Sequence, residues 1–102
     1  MVKRTVVWTE TAARQRREIL KFWTKHNGST VYAEKLIKLI AKQTKTILSH
    51  PESYKLTDYP DTRMSSIGHF SIFYKITPDF IIITGFWDNR QDPKKLLEFL
   101  TK

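Results

Sequence analysis

Three short runs in the second half of the chain, the last two of them rich in apolar, aromatic and β-branched residues, predict three consecutive β-strands. The runs cover residues 62–67, 70–76 and 80–87. Gly68-His69 separates the first two runs, and Thr77-Pro78-Asp79 separates the last two, so each break carries residues that favour tight turns. Short apolar runs joined in this way are typical of a β-meander.

The first half of the chain predicts one more strand and a helix. Residues 2–8 are rich in β-branched side chains, which favours a strand. Thr9 can cap a helix that runs to about His26, and Asn27-Gly28 can end that helix because both residues tolerate a left-handed conformation. The residues at helical spacing that predict its apolar face are Ala12, Ile19, Phe22 and Trp23.

A second helix has the clearest periodicity in the chain. Ser29 or Thr30 can cap it, and His50-Pro51 ends it because a residue before proline is forced out of the helical region. Its predicted core-facing stripe consists of Ala33, Leu36, Ile37, Ile40, Thr44, Ile47 and Leu48. On roughly the opposite side a row of lysines follows the same spacing, namely Lys35, Lys38, Lys42 and Lys45. We interpret that row as a solvated face that would steer polyanions toward the protein.

The remaining segments complete a single predicted domain over residues 1–102. Residues 51–61 carry turn-forming residues and are expected to form a loop. Asp92 and Pro93 can begin a final helix as N-cap and first helical residue. The apolar face of that helix would consist of Leu96, Leu97, Phe99 and Leu100. The order β-αα-βββ-α predicts an α+β fold in which a helix hairpin is packed on a small, mainly antiparallel sheet.

Charge is the bulk property that narrows the function. Lysine and arginine total 18 against 10 acidic residues, which gives a net charge of +8 and a pI of about 9.9. The positive electrostatic field of so basic a chain favours nucleic acid or an acidic protein as its partner. The chain has no cysteine, and its three histidines lack metal-ligand spacing, so we expect no metal and no cofactor. No apolar run approaches the ~20 residues of a membrane helix, and the first residues lack the apolar core of a signal peptide, so we expect a cytoplasmic protein without membrane contact.

Three sequence features together resemble the RelE/ParE superfamily of toxins from bacterial type II toxin–antitoxin systems. The first is the element order in a basic chain of this length. The second is the GHFSIFYKI stretch at residues 68–76, which is similar to the glycine–aromatic–x–hydrophobic–x–Tyr strand of the family. The third is the FWDNR stretch at residues 86–90, where a last strand delivers an arginine at its exit, followed by DPKKL at residues 92–96 as in one branch of these toxins.

The resemblance implies a cognate antitoxin as partner and offers two targets. The antitoxin of such toxins is usually acidic, or has an acidic toxin-binding segment, and wraps the toxin. RelE-like members cleave mRNA in the ribosomal A site, whereas ParE-like members lack the nuclease residues and inhibit DNA gyrase.

Cleavage of RNA without a metal requires groups that move protons and a cation that stabilises the charged phosphorane. We expect Arg63, Arg90 and His69 to be the catalytic residues, with both arginines at the same end of the sheet. The expected RNA-binding residues are Lys55, Lys75 and Lys94. The structural alternatives are an Arg90 that clamps Asp88 or Asp92, an Arg63 that is a solvated charge at a strand edge, and a His69 that is simply a turn residue.

Two positions depart from the nuclease pattern of the family. Ser71 stands where RelE-like nucleases commonly carry an arginine, and no tyrosine follows Arg90, where such nucleases often have one. We nevertheless favour a ribosome-dependent mRNA endonuclease on the remaining basic residues. The alternatives are a non-enzymatic inhibitor of DNA gyrase and a catalytically inactive, basic RNA-binding relative.

Overall fold

A computed structural model describes residues 3–90, and these residues form two helices packed on a five-stranded sheet. The elements are β1 (Thr5–Trp8), α1 (Glu10–Asn27), α2 (Val31–Ser49), β2 (Lys55–Leu56), β3 (Arg63–Ile67), β4 (Phe70–Ile76) and β5 (Phe80–Asp88), with a 3₁₀ turn at Pro51–Ser53. The predicted helix that begins at Asp92 lies outside the described residues. The α+β fold with a helix hairpin is confirmed.

Both helices begin and end where the local chemistry predicts. The Oγ1 atom of Thr9 accepts a hydrogen bond from the backbone N–H of Ala12 at 3.1 Å, which caps the first turn of α1. Gly28 ends α1 in the left-handed conformation, with φ +65°. The Oγ atom of Ser29 accepts from the N–H of Val31 at the start of α2, and α2 ends one residue before His50.

The sheet has the strand order β1-β5-β4-β3-β2. β1 runs parallel to β5, whereas the other three pairs are antiparallel, so the sheet is mixed and mainly antiparallel as predicted. The short strand β2 lies within residues 51–61, where the sequence predicted only a loop. Two residues are too few to show the alternation that identifies a strand, so no sequence pattern predicts β2.

The core lies between the helices and one face of the sheet. A register shift between Phe73 and Tyr74 leaves Thr84 as an extra residue in β5, so that Ile83 and Phe86 point to the same face although they are three residues apart. The buried core cluster consists of Ala12, Ile19, Leu36, Ile40, Ile47, Phe70, Ile72, Tyr74, Ile81, Ile83 and Phe86. Tyr74 and Phe86 are therefore core residues.

Two residues of the predicted helix faces are exposed instead of buried. Ile37 is 50% exposed and Phe22 is 57% exposed. On α2 the buried stripe is centred between Leu36 and Ile40, and Ile37 points roughly 80° away from that centre. Phe22 similarly lies beside the stripe that Ala12 and Ile19 define on α1, so the predicted apolar faces were too wide.

Neither helix of the described part of the chain combines the length and the apolar character that crossing a bilayer would require.

Candidate functional site

Arg63 and Arg90, the two arginines predicted to be catalytic, lie at opposite ends of the sheet. Both β3 and β5 are antiparallel to β4, so they run in the same direction, and the start of one is far from the end of the other. Arg63 pairs with Tyr74 on β4, and Tyr74 in turn pairs with Ile83 on β5. Asp88, which precedes Arg90 by two residues, lies five positions beyond Ile83 on β5. That separation is roughly 15 Å along the strand. The expectation that both arginines lie at one end was wrong, because it overlooked this strand direction.

Arg90 is held by a carboxylate and by two aromatic rings. Its Nε donates to Oδ1 of Asp88 at 2.8 Å and its Nη2 donates to Oδ2 at 2.9 Å, which forms a bidentate pair. The backbone N–H of Arg90 also donates to Oδ1 of Asp88 at 3.0 Å. The guanidinium carbon lies 4.4 Å from the ring centroid of Trp23 and 5.5 Å from that of Phe70. The structure therefore shows the clamp on Asp88 that the sequence offered as the alternative to a catalytic role.

The pair changes the titration of both partners. Burial alone would raise the pKa of Asp88, but the hydrogen bonds and the charge of Arg90 outweigh it, so the pKa lies below its ordinary value. The hydrogen bond with Asp88 raises the pKa of Arg90. The side chain of Asp88 is 8% exposed and that of Arg90 is 41% exposed, so the carboxylate is enclosed while one side of the guanidinium faces water.

Arg63 is occupied by backbone carbonyls at the other end of the sheet. Its Nη1 donates to the carbonyl oxygen of Tyr54 at 2.6 Å and to that of Glu52 at 3.3 Å. These bonds tie the 3₁₀ turn and the segment before β2 to the first residue of β3. Arg63 is half-buried, so it is not the solvated strand-edge charge that the sequence offered as an alternative.

Tyr74 lies beside Arg63 and completes this tether. It is fully buried, and its hydroxyl donates to the carbonyl oxygen of Pro51 at 2.6 Å. Burial raises the pKa of Tyr74 to about 12, because the phenolate would lose its hydration, although the nearby charge of Arg63 acts in the opposite direction.

His69 shares the Arg90 end of the sheet. It lies exposed in the turn between β3 and β4, and its carbonyl oxygen accepts from the N–H of Asn89 at 2.7 Å. A small cavity of about 210 Å³ at this end is lined in part by His69, Tyr32 and Lys35. The predicted Gly68-His69 turn is therefore confirmed, and His69 and Arg90 are brought to one end without Arg63.

Lys55 and Lys75 lie toward the Arg63 end of the sheet, and both are exposed. Lys55 pairs with Met64 on β3, and Lys75 pairs with Ile82 on β5. Five of the six predicted site residues are thus divided between the two ends of the sheet. The sixth, Lys94, lies outside the described residues.

A larger cavity of about 590 Å³ opens between α1 and the last residues of β5. The described residues that line it are Gln15, Glu18, Ile19, Phe22, Trp23, Phe86, Trp87, Asp88 and Arg90. Gln15 joins α1 to β5 within this lining, since its Oε1 accepts from the N–H of Phe86 at 3.0 Å. Sequence reasoning missed Gln15 and the ring of Trp23 as partners of this strand end, because only pairing of α1 with β5 brings them there.

Between residues 3 and 90 no group of three histidine, cysteine, aspartate or glutamate side chains could hold a metal ion. The positive charge is instead spread over the outside of the helices. The exposed basic residues of α1 and α2 include Arg14, Arg17, Lys21, Lys25, Lys35, Lys38, Lys42 and Lys45. The lysine row of α2 is therefore exposed, as predicted.

Comparisons with known proteins show the family through the sequence and support the fold through a solved structure. The sequence matches the family model described as the ParE toxin of the type II toxin–antitoxin system parDE, over residues 6–93. No curated protein sequence matches it. The fold is similar to that of a solved structure described as "Chromosomal ParDE TA system from P. aeruginosa", with a TM-score of 0.73 and 19% sequence identity. That alignment covers 84% of this chain and 96% of the other chain, and at this identity it supports the fold alone.

Proposed function

Because the chain belongs to the family of ParE toxins of type II toxin–antitoxin systems, we propose that it arrests growth by binding and inhibiting DNA gyrase. In this proposal the protein is a non-enzymatic toxin, and an acidic antitoxin neutralises it. This replaces mRNA cleavage, which the sequence favoured, as the main interpretation.

The observation that carries the proposal is the division of the basic residues. Cleavage of RNA without a metal needs a cation that stabilises the phosphorane and proton-transfer groups, all within reach of one phosphate. Arg63 lies roughly 15 Å along the sheet from the end that carries Arg90 and His69. With Arg63 bound to the carbonyl oxygens of Glu52 and Tyr54 and Arg90 bound to Asp88, the two guanidinium groups do not converge on one phosphate in this conformation.

Both arginines are also engaged by groups of the protein. Asp88 accepts from Nε and Nη2 of Arg90 and offsets its charge, while two carbonyl oxygens accept from Nη1 of Arg63. A phosphate that bound Arg90 through Nε and Nη2 would have to displace Asp88.

Ser71 supports the same conclusion. It stands where the resemblance to RelE-like nucleases predicts an arginine, and it is buried, with its hydroxyl donating to Oδ1 of Asn89 at 3.0 Å. A long cationic side chain at this buried position would have to extend away from the sheet to reach water. Ser71 therefore fits a toxin that lacks the catalytic residues of the RelE-like nucleases.

The charge distribution supports the antitoxin as partner. The exposed lysines and arginines of α1 and α2 give the helix hairpin a positive outer surface. An acidic segment would be attracted to such a surface and would associate faster at low salt.

A supercoiling assay tests the proposal. Purified protein is added to DNA gyrase, ATP and relaxed plasmid, and supercoiled product is measured against protein concentration. We expect inhibition that is relieved when the acidic protein encoded by a neighbouring reading frame is added in equimolar amount. Full supercoiling at every protein concentration would contradict the proposal. A chain unfolded by Phe86→Asp, in which a charge replaces a fully buried ring, serves as the inactive control.

One observation favours mRNA cleavage as a second candidate function. His69 and Arg90 lie at the same end of the sheet, with Lys35 beside His69. In this candidate His69 moves the proton and Arg90, once released from Asp88, stabilises the phosphorane, while Lys55, Lys75 and Lys94 hold more distant parts of the RNA and Arg63 has no contact with the cleaved phosphate.

A further inference from the structure

A groove between α1 and α2, called the hairpin groove below, lies outside the core. It has a volume of about 480 Å³, and the described residues that line it belong to the two helices or to Thr30, which precedes α2. None of them belongs to the buried core cluster. Its apolar and charged lining residues are Leu20, Lys21, Lys25, Ala33, Glu34 and Ile37.

The apolar part of the hairpin groove is in contact with water. Ala33 is buried, but Leu20 is only half-buried and Ile37 is 50% exposed. Covering Leu20 and Ile37 would remove apolar surface from water, which favours association with a partner that has an apolar side of its own.

The positive charge of the chain is concentrated on the two helices that form this groove. Residues 10–49, which contain both helices, carry nine lysines and arginines against three acidic residues, a net charge of +6. Residues 50–90 carry four against five, a net charge of −1. A surface that serves only solubility intersperses both signs, so this one-sided distribution favours a negatively charged partner at the helices.

The described part of the chain does not neutralise the cations of the groove. Between residues 3 and 90 the one ion pair is that of Arg90 with Asp88, at the end of β5. Lys21 and Lys25 are exposed and pair with no carboxylate of this range. They therefore place two positive charges, one helical turn apart, beside an apolar surface.

We infer that the hairpin groove binds an amphipathic helical segment of an acidic protein, with the aliphatic side of the segment on Leu20 and Ile37 and its carboxylates facing Lys21 and Lys25. The inference rests on the proposed function for the identity of this protein, the antitoxin, and it names the surface that the antitoxin occupies.

The dimensions of the groove fit a short helix. Its α2 side extends from Thr30 to Ile37, seven steps that rise about 10 Å, so two helical turns of a partner cover it. A helix in a groove contacts it through residues three, four and seven positions apart. Lys21 and Lys25 are four positions apart on α1, so they match two carboxylates that are also one turn apart on the partner.

Glu34 determines the side of the groove on which those carboxylates lie. It is exposed on the α2 side and would repel a carboxylate placed next to it. The cationic lining residues that the structure describes, Lys21 and Lys25, both belong to α1. The acidic side of the bound segment therefore faces α1.

The apolar surface favours a protein over DNA as the occupant. Phosphates bind cations and hydrogen-bond donors, and they gain nothing from Leu20 or Ile37. A DNA duplex would depend equally on the lysines further along α2, such as Lys45, which lie outside the groove. The two kinds of partner therefore differ in how strongly their binding depends on Ile37 and on the place of each lysine.

Calorimetric titration with the purified acidic protein encoded by a neighbouring reading frame tests the charged side of the groove. Lys21→Glu reverses a charge in the groove, and Lys45→Glu reverses a matched exposed charge on the same hairpin, eight residues beyond Ile37. We expect Lys21→Glu to raise Kd at least tenfold and Lys45→Glu to raise it less than threefold. An equal loss of affinity in the two variants would overturn the inference, because only the total charge would then matter.

The apolar side is tested with Ile37→Ser against Leu39→Ser. Leu39 is 42% exposed on the same helix but lines the small cavity beside His69 instead of the groove. We expect Ile37→Ser to raise Kd at least tenfold and Leu39→Ser to leave it within twofold, with circular dichroism showing that both variants are folded. An unchanged Kd for Ile37→Ser would contradict the inference. Binding of a short DNA duplex that is as tight as that of the acidic protein and insensitive to Ile37→Ser would also contradict it, and would assign the hairpin to nucleic acid.

The supercoiling assay separates this inference from the proposed function. Each variant is added to gyrase at the concentration that gives its full inhibition, and the acidic protein is titrated until half of the supercoiling returns. We expect Ile37→Ser to need at least tenfold more acidic protein than wild type. Equal amounts for both would overturn the groove and leave gyrase inhibition standing, whereas a wild type that never inhibits gyrase would overturn the proposed function while the calorimetric titration still decides the groove.

Discussion

The two ends of the sheet use an arginine in different ways. At one end Arg63 donates to neutral backbone carbonyls and keeps its charge, and the neighbouring hydroxyl of Tyr74 ties down the same turn. At the other end Arg90 is neutralised by Asp88 and covered on one side by Trp23. One end holds a loop in place, and the other joins the end of β5 to α1 through the contact of Arg90 with Trp23. The difference teaches that an arginine at the end of a strand can hold neighbouring segments together, and that its position alone does not identify a phosphate-binding site.

The largest expected effect is at the Arg63 end and appears at high pH. The folded state raises the pKa of Tyr74 from 10.0 to about 12, so its contribution to stability is complete below pH 10 and is lost as the pH rises through 12. The free energy of unfolding of the wild type should fall by about 2 to 3 kcal/mol more than that of Tyr74→Phe over this window. Chemical denaturation at pH 9, 10, 11 and 12 measures this difference.

Tyr59→Phe is the matched control for the loss of a phenol elsewhere in the chain. At neutral pH Tyr74→Phe should cost about 1 kcal/mol, because the carbonyl of Pro51 loses its donor. Parallel stability curves for the wild type and Tyr74→Phe above pH 10 would refute the role of burial at this end.

The next effect is at the Arg90 end and appears at low pH. Asp88→Asn should lower the free energy of unfolding by about 1 to 2 kcal/mol at pH 7, since it removes a bidentate partner from a guanidinium that is still partly solvated. The pKa of Asp88 is lowered in the folded state, so its contribution is present above the ordinary value of 3.8 and is lost as the pH falls through the folded value. The gap between wild type and Asp88→Asn should therefore close below about pH 4.

Asp79→Asn, in the exposed turn before β5, controls for the loss of one acidic charge. A gap between wild type and Asp88→Asn that stays constant from pH 7 to pH 2 would show that the ion pair does not stabilise the fold.

The smallest effect should follow the loss of the Arg63 tether. Arg63→Gln should cost about 0.5 to 1 kcal/mol, because it removes donors from two carbonyls that water can partly satisfy. Hydrogen exchange should accelerate around the 3₁₀ turn and β2 and stay unchanged in α1. Exchange that accelerates equally across the chain would mean that the two ends are not independent anchors.

Local signals made most of the fold predictable. Thr9, Gly28 and Pro51 each act within a few residues of their own position, through capping, a left-handed conformation or the restriction before proline. The bounds of both helices and of β4 were therefore close to those observed. The alternation of Phe86 and Trp87 across the sheet was likewise readable.

What was missed depends on pairing between distant residues. The parallel pairing of β1 with β5, the short β2 and the separation of Arg63 from Arg90 have no signal in the local sequence. The pairing of Arg90 with Asp88 could be considered from the sequence because the two residues are close along the chain. The Trp23 ring that Arg90 contacts belongs to α1, and no local pattern predicts that contact. Whether the predicted residues act on RNA stays a prediction.

The central claim is that the divided basic residues do not form a nuclease site, and mapping mRNA 5′ ends tests it most directly. Purified protein is added to a cell-free translation reaction, with and without ribosomes, and new ends are sequenced. We predict no protein-dependent ends in the wild type or in Asp88→Asn, which frees Arg90 from its partner. Discrete cuts within translated codons that disappear in His69→Ala would contradict the account and return mRNA cleavage as the function.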